Sequence, residues 1–172
     1  CVEKVMADKS ISGGFFNVGV SQSGSWNKMF NRIYREHYPF VMLDAPLKVG
    51  ALPSVGSNLF RIGFRAAELL YRYGKRAAVC GYRNVYDYSL RTSGFLAGCE
   101  AFNWAVPLEF YTGPETDYQV TEELFDNIFT RYRGEFDTIF TSTRGHTLML
   151  AKYLLNHPEL VPGRDFNWIG AD

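Results

Sequence analysis

The chain has 172 residues, of which 47% are hydrophobic, 21% charged and 16% aromatic. A chain of this length and composition can bury a hydrophobic core, which excludes a disordered protein. Lys and Arg together number 18, as do Asp and Glu, so the net charge is zero and argues against a bare nucleic-acid-binding domain, which usually carries a basic excess.

Cysteine content and hydropathy indicate a cellular location. Three cysteines, Cys1, Cys80 and Cys99, cannot all pair, and their spacing fits no zinc motif. We interpret them as reduced thiols, which predicts a cytoplasmic protein. No run of about 18 apolar residues occurs, so we expect no membrane-spanning segment. The first ten residues lack a signal core and an initiating Met, so the chain is expected to come from the middle of a longer protein.

Short apolar runs alternate with longer helical patterns along the chain. Each run is apolar nearly throughout, as expected for strands that are covered on both faces. The predicted strands are 14–18, 39–44, 77–81, 106–111, 137–142 and 166–170. The predicted helices are 25–35, 58–73, 89–102, 116–132 and 145–156.

This alternation predicts the fold class α/β, with parallel sheets, right-handed crossovers and helices on both faces. In such sheets ligands bind outside the carboxyl ends of the strands. The segment 44–57 breaks the rhythm, because it holds two prolines and two glycines and has no regular period. A loop of about fourteen residues is uncommon inside one compact domain, so we interpret it as a crossover between two subdomains.

Five stretches resemble, in order along the chain, the ligand-sensing domain of LacI/GalR-type transcriptional regulators, which has the type I periplasmic-binding-protein fold. The most specific runs from Val161 to Asp172 and is similar to the family's v-P-x-D-i-x-v-i-G-f-D motif. The stretch from Arg91 to Phe95 is similar to its R-x-x-G-F motif. The other three are 11–17, 38–44 and 55–74, and in the last of them Asn58 and Leu59 stand where the family has an Asp-Asn pair.

The resemblance implies a sensor with two lobes. Residues 1–46 would be part of an incomplete N-terminal lobe, and residues 47–172 would be the C-terminal lobe. The family's DNA-binding helix-turn-helix precedes the sensor and is absent from this chain. The resemblance further implies that a sugar or sugar-like effector binds between the lobes and modulates the binding of a homodimer to operator DNA. That activity makes and breaks no bond, so we expect no catalysis, no cofactor and no metal.

The resemblance also marks residues at strand ends as the effector site. Asp44 and Asp172 match cleft-facing carboxylates, whose oxygens accept hydrogen bonds from ligand hydroxyls. Arg91 matches a ligand-contacting arginine, whose planar guanidinium can hold two vicinal hydroxyls or a carboxylate. Asn17 matches a position that reaches the ligand. Plainer roles remain open: a turn residue for Asp44, a surface salt bridge for Arg91 and a loop cap for Asn17.

Two more segments add candidates. The segment 82–88 follows a strand and holds three tyrosines, of which Tyr82 and Tyr86 are candidates to stack on a sugar ring, with scattered surface tyrosines as the alternative. Thr143 and Arg144 depart from the family, which usually has Asn-Asp here with the Asn on the ligand. If Arg144 faces the cleft, two arginines favour an anionic ligand, such as a phosphorylated sugar or a sugar acid. If it faces solvent, the change only weakens the prediction of a neutral sugar.

Other function classes fit less well. A periplasmic sugar-binding protein has the same fold and cleft and delivers its ligand to a transporter, so it is the alternative to a regulator. The stretch from Gly19 to Ser23 is similar to a hydrolase nucleophile elbow centred on Ser21, but Ser23 replaces its second glycine. Of the histidines, only His146 lies near the carboxyl end of a predicted strand. The sequence has neither a dinucleotide-binding glycine motif nor a P-loop.

Overall fold

A computed structural model describes residues 2–8, 10–17, 24–43, 53–82, 86–113 and 118–171. They form two compact units, one within residues 1–57 and the other within residues 58–172. The predicted lobe boundary, between residues 46 and 47, lies in the segment 44–52 and so falls outside the described residues. Among the helices that are described, none combines the length and the hydropathy needed to span a bilayer.

The first unit contains a small parallel sheet. Its strands run in the order β1-β2-β3, and the intervening helix α2 buries Phe30 and Ile33. The ring of Phe30 lies 6.5 Å from that of Phe40 on β2. The elements of this unit are α1 (Val2–Ala7), β1 (Gly14–Asn17), α2 (Gly24–Arg35), β2 (Phe40–Leu43) and β3 (Ser54–Val55).

Two elements of the first unit differ from the prediction. The sequence predicted no strand within 44–57, whereas the exposed pair Ser54 and Val55 forms β3 by pairing with Met42 and Leu43. Pairing of the main chain makes this strand, and two exposed residues leave no apolar run to detect. Helix α1 was not predicted either, because six residues are too few for a helical period to stand out.

The second unit is a four-stranded parallel sheet in the order β5-β4-β6-β7. Helices cover both of its faces, as the α/β prediction requires, and the predicted fold class is confirmed. The predicted strands recur with shifts of one or two residues at their ends. The elements of this unit are α3 (Leu59–Leu70), β4 (Ala77–Tyr82), α4 (Tyr86–Ala101), β5 (Leu108–Thr112), α5 (Tyr118–Arg131), β6 (Thr138–Thr141), α6 (Arg144–Asn156) and β7 (Asn167–Gly170).

Two hydrophobic clusters lie on opposite faces of this sheet. On one face α3 and α4 pack against Val79 and Phe140, and the ring of Phe95 stacks 4.7 Å from that of Phe140. On the other face α5 and α6 pack against Cys80 and Ile139. Successive strand residues point to opposite faces, so both must be apolar, which explains the continuous apolar runs in the sequence.

Helices α3 and α4 approach each other at two glycines. A Cβ atom on Gly63 would overlap the carbonyl oxygen of Arg91, and a Cβ atom on Gly94 would overlap that of Phe60. Only glycine lets the two backbones come this close. The contact therefore fixes α4, the helix that carries Arg91, directly against the backbone of α3.

We expect the substitution Gly94→Ala to destabilise the second unit by up to about 2 kcal/mol. Alanine is the better helix former by about 1 kcal/mol, but overpacking against a backbone carbonyl costs about 1–3 kcal/mol or more. Urea denaturation checks this, with the exposed neighbouring change Ser93→Ala as the control. A G94A protein as stable as the S93A protein would contradict the close contact.

Candidate functional site

Polar side chains collect at the carboxyl ends of the central strands of the second unit. Strand β4 ends at Tyr82, and the neighbouring strand β6 ends at Thr141. The chain then passes through Ser142 and Thr143 into α6, and all three of Thr141, Ser142 and Thr143 are fully buried. Ligands of parallel α/β sheets bind at this edge, so it is the candidate site.

Arg91 reaches this edge from the second turn of α4. Its Nη1 atom donates a hydrogen bond to the carbonyl oxygen of Ser142 over 3.2 Å. The side chain is half-buried, so its guanidinium is positioned by the protein rather than extended into solvent. A guanidinium has five N–H donors in a planar arrangement, which suits it to binding oxygen-rich ligands.

His146 joins two strand ends that are not neighbours in the sheet. Its Nε2 atom lies 3.0 Å from the hydroxyl of Thr112, the last residue of β5, and its Nδ1 atom lies 2.8 Å from the hydroxyl of Thr143. The backbone N–H of His146 also donates to the Thr143 hydroxyl over 3.1 Å, which makes Thr143 the N-cap of α6. One imidazole thus spans the end of β4, which lies between β5 and β6.

Tyr82 contacts the ring of His146. Its ring stands edge-on to the imidazole of His146, with the ring centroids 4.6 Å apart. Its hydroxyl lies against Gly145, where a Cβ atom would come within 2.7 Å of the phenol oxygen. The first turn of α6 and the last residue of β4 therefore hold each other in place.

His146 is a neutral imidazole at physiological pH. Only 1% of its surface is exposed, and burial lowers its pKa to about 4. A neutral ring has one donor and one acceptor nitrogen, and a threonine hydroxyl can serve either. Both nitrogens are therefore satisfied without a charge.

On the side covered by α3 and α4, the same edge has buried hydroxyls of a different kind. The hydroxyls of Ser142 and Thr92 are buried and have no hydrogen-bond partner among the residues that the structure describes. The Ser142 hydroxyl packs against Gly81, whose missing side chain leaves it room. A buried hydroxyl without a partner costs about 1–3 kcal/mol. Such a group is stabilised if a ligand-bound conformation provides it with a partner.

The structure brings together four of the predicted site residues. Tyr82, Arg91, Thr143 and Arg144 all lie at the carboxyl ends of β4 and β6 or on the helices that flank them. Arg144 is the first residue of α6 and is exposed, whereas Thr143 points inward to His146.

The other four predicted residues are placed only in part. Asn17 is the last residue of β1 in the first unit, opposite Leu43 of β2. Tyr86 is the first residue of α4, which begins three residues earlier than predicted and shortens the predicted loop 82–88. Asp44 and Asp172 lie outside the described residues, as does Ser21 of the elbow-like stretch.

The sequence interpretation did not assign three polar residues of this edge to the effector site, namely Thr112, Ser142 and His146, although it noted the position of His146 near a strand end. Each lies at or just beyond the carboxyl end of a predicted strand, which is the one signal that could have found them. Among the residues placed by the structure, no group of three or more His, Cys, Asp or Glu side chains is arranged to hold a metal ion. The edge is equipped for hydrogen bonding and for contact with anions.

Comparison with known proteins gives matches in structure but not in sequence. No protein-family model matches the chain, and no curated protein sequence matches it. Among solved structures, the chain is similar to a LacI family transcriptional regulator from Enterococcus faecium with bound ribose. That match has 20% identity and a TM-score of 0.70, and covers 99% of this chain and 61% of that one.

Two further structures have different described roles. One is GanP, a glucose-galactose binding protein from Geobacillus stearothermophilus, with 16% identity, a TM-score of 0.73 and coverage of 98% of this chain and 59% of that one. The other is a sugar-binding transcriptional regulator of the LacI family from Escherichia coli complexed with phosphate. It has 16% identity, a TM-score of 0.68 and coverage of 99% and 60%. The chain thus has the fold of LacI-type effector domains and spans about 60% of their length.

The pKa of His146 predicts how stability depends on pH. Between its ordinary pKa of 6.5 and about 4, the unfolded chain binds a proton at His146 that the folded protein does not. Stability attributable to this residue is therefore complete above pH 6.5 and is lost as the pH falls toward 4, by up to about 3 kcal/mol. Urea denaturation of the wild type and of His146→Gln across this range checks the prediction, because their stability difference is expected to shrink with falling pH.

Leu150→Ala provides the control for that experiment. Leu150 is fully buried one turn further along α6 and does not titrate, so its stability difference from the wild type is expected to stay constant. A pH-independent difference for H146Q as well would show that His146 is not held neutral by burial.

Proposed function

We propose that this chain is the effector-sensing part of a LacI/GalR-type transcriptional regulator. The observation that carries the proposal is the position of Arg91. This residue lies in an R-x-x-G-F-like stretch, and its side chain reaches the carboxyl end of β6. The fold supports it, since structures of LacI-family regulators match 98–99% of the chain. At 16–20% identity this likeness supports the fold, and the regulatory role is inferred from the site.

The effector we propose is a sugar or a sugar phosphate. Arg91 and Arg144 both lie at the same edge of the sheet, where their guanidinium groups favour hydroxyl-rich and anionic ligands. Among the similar structures, one regulator holds ribose and another holds phosphate, which agrees with this class. The other contacts proposed in the second unit are Tyr82, Tyr86 and Thr143, although the hydroxyl of Thr143 is also bonded to His146.

Asn17, Asp44 and Asp172 remain part of the proposed effector site by resemblance. An effector can shift a conformational equilibrium only by its difference in affinity for the two states. In the full-length protein this shift alters the affinity of a homodimer for operator DNA, through a helix-turn-helix outside these 172 residues. The proposed location is the cytoplasm, and the activity is binding without catalysis.

A sugar-binding protein that serves a transporter is the second candidate, because GanP has the same fold. DNA binding separates the two functions. A gel-shift assay of the full-length protein on DNA upstream of its own gene is expected to show a complex that responds to the effector. Absence of any DNA complex would exclude the regulator and favour the transport-linked protein.

Replacing Arg91 with Ala is expected to weaken effector binding by more than about tenfold, since a lost charged hydrogen bond costs about 1.5–3 kcal/mol. Ribose, glucose, galactose and their phosphates are screened by thermal shift, and affinities are then measured by calorimetry. Arg76→Ala is the matched control, because Arg76 precedes β4 at the opposite edge and likewise donates to a backbone carbonyl, that of Gly134. Equal affinity in R91A and R76A would remove Arg91 from the site.

Replacing Arg144 with Ala is expected to weaken the binding of a phosphorylated sugar by several-fold more than that of the neutral sugar, because only the former has an anionic group to lose its partner. Arg164→Ala removes the same charge from the loop before β7, at the opposite edge of the sheet. If R144A and R164A change the two affinities alike, Arg144 does not recognise the anionic group.

A further inference from the structure

The four residues Tyr82, Thr112, Thr143 and His146, which we call the histidine bridge, include two that the resemblance does not assign. Thr112 and His146 match no ligand-contacting position of the family's motifs. Both are buried, and His146 is the member that contacts the other three. Their role is therefore open to inference from geometry.

The histidine bridge joins two strands that are not neighbours in the sheet. Residues of β5 and β6 are not hydrogen-bonded to each other, because β4 lies between these strands. His146 connects their ends by hydrogen bonds of 3.0 and 2.8 Å to Thr112 and Thr143. One rigid ring therefore links the last residue of β5 to the loop that follows β6, across the end of β4.

The histidine bridge also lies next to two proposed effector contacts. Thr143 is followed directly by Arg144, and its hydroxyl caps α6 by accepting from the backbone N–H of His146. The Nδ1 atom of the His146 ring lies 2.8 Å from the same hydroxyl. Tyr82 is held between the imidazole and Gly145. The ring of His146 thus contacts Tyr82 directly and contacts the residue that precedes Arg144.

Thr143 is the member of the bridge that departs from the family's pattern. It stands where the family usually has a ligand-binding Asn, but its hydroxyl is fully buried and is bonded twice by His146. The hydroxyl is engaged by the protein. The Thr that replaces the family's Asn at position 143 is therefore accompanied by a histidine three residues later, whose ring is hydrogen-bonded to the Thr143 hydroxyl.

We propose that His146 is a positioning residue of the effector site, which holds Tyr82 and Arg144 in place for the effector through its bonds to Thr112 and Thr143. The inference rests on the proposed function, because it presupposes an effector at this edge. His146 is fully buried and acts through its neighbours. It does not touch the effector.

The test compares two substitutions of buried residues on α6 in the full-length protein. His146→Ala removes the bridge, whereas Leu150→Ala removes a fully buried side chain one turn later that takes part in none of the bridge's hydrogen bonds. The probes are ribose, glucose, galactose and their phosphates, and calorimetry is performed at a temperature where both variants are folded. We expect H146A to weaken the binding of a probe by about tenfold or more, and L150A to change it by less than about twofold.

A third variant separates positioning from packing. His146→Asn retains an amide close to the Nδ1 position, so it can keep the bond to Thr143, and we expect it to recover part of the affinity that H146A loses. Equal losses of affinity in H146A and L150A would mean that His146 only stabilises the fold, and would overturn the proposal. An H146A protein that binds the probe as tightly as the wild type would overturn it as well.

The experiment also distinguishes this inference from the proposed function. If the wild type binds a probe and the H146A protein binds it equally well, only the positioning role is wrong. If the wild type binds none of the probes, the proposed sugar effector is wrong and the positioning role is rejected with it.

Discussion

The second unit depends on two parallel strands, β4 and β6, that expose neither face to water. Every residue of β6 is buried, and β4 is buried up to Gly81. Unpaired polar groups are costly in such surroundings, so the hydroxyls that β6 does carry are bonded: Thr138 donates to the carbonyl of Arg76, and Thr141 accepts from the indole of Trp168. Other polar groups can collect only where the strands end. The position of the candidate site is therefore a consequence of two-sided burial.

At that edge the polar groups divide according to the face on which they lie. On the side of α5 and α6, the histidine bridge is a closed set of hydrogen bonds around a neutral ring, and it is suited to rigidity. On the side of α3 and α4, Arg91 donates to the carbonyl of Ser142, and the hydroxyls of Ser142 and Thr92 have no partner among the described residues. The rigid half of this edge and the half with unpartnered hydroxyls meet at Ser142 and Thr143, which are adjacent in the chain. This division is suited to a binding site, because fixed geometry limits the conformational entropy that the site itself loses when a ligand binds.

The sequence predicts the sheet of the second unit well and its hydrogen-bonded site poorly, for different physical reasons. A buried parallel strand such as β4 has to be apolar at successive positions, so its pattern is local and visible. The bond between Thr112 and His146 joins residues 34 positions apart, and it exists only because β5 and β6 lie on either side of β4. No local pattern encodes that order. The resemblance predicts Arg91 and Thr143 as effector contacts. In the structure Arg91 reaches the end of β6, and the hydroxyl of Thr143 is bonded to His146.

The close approach of α3 and α4 has a consequence for how this site can change during evolution. Where Gly63 and Gly94 meet the facing helix, main-chain atoms contact main-chain atoms, so the distance between the helices at this crossing is set by the backbone as long as both glycines are kept. Residues of α4 that point toward the strand ends are then free to be exchanged on an invariant scaffold. Ligand preference can diverge among descendants of this protein while the backbone that presents the ligand-binding groups is inherited unchanged.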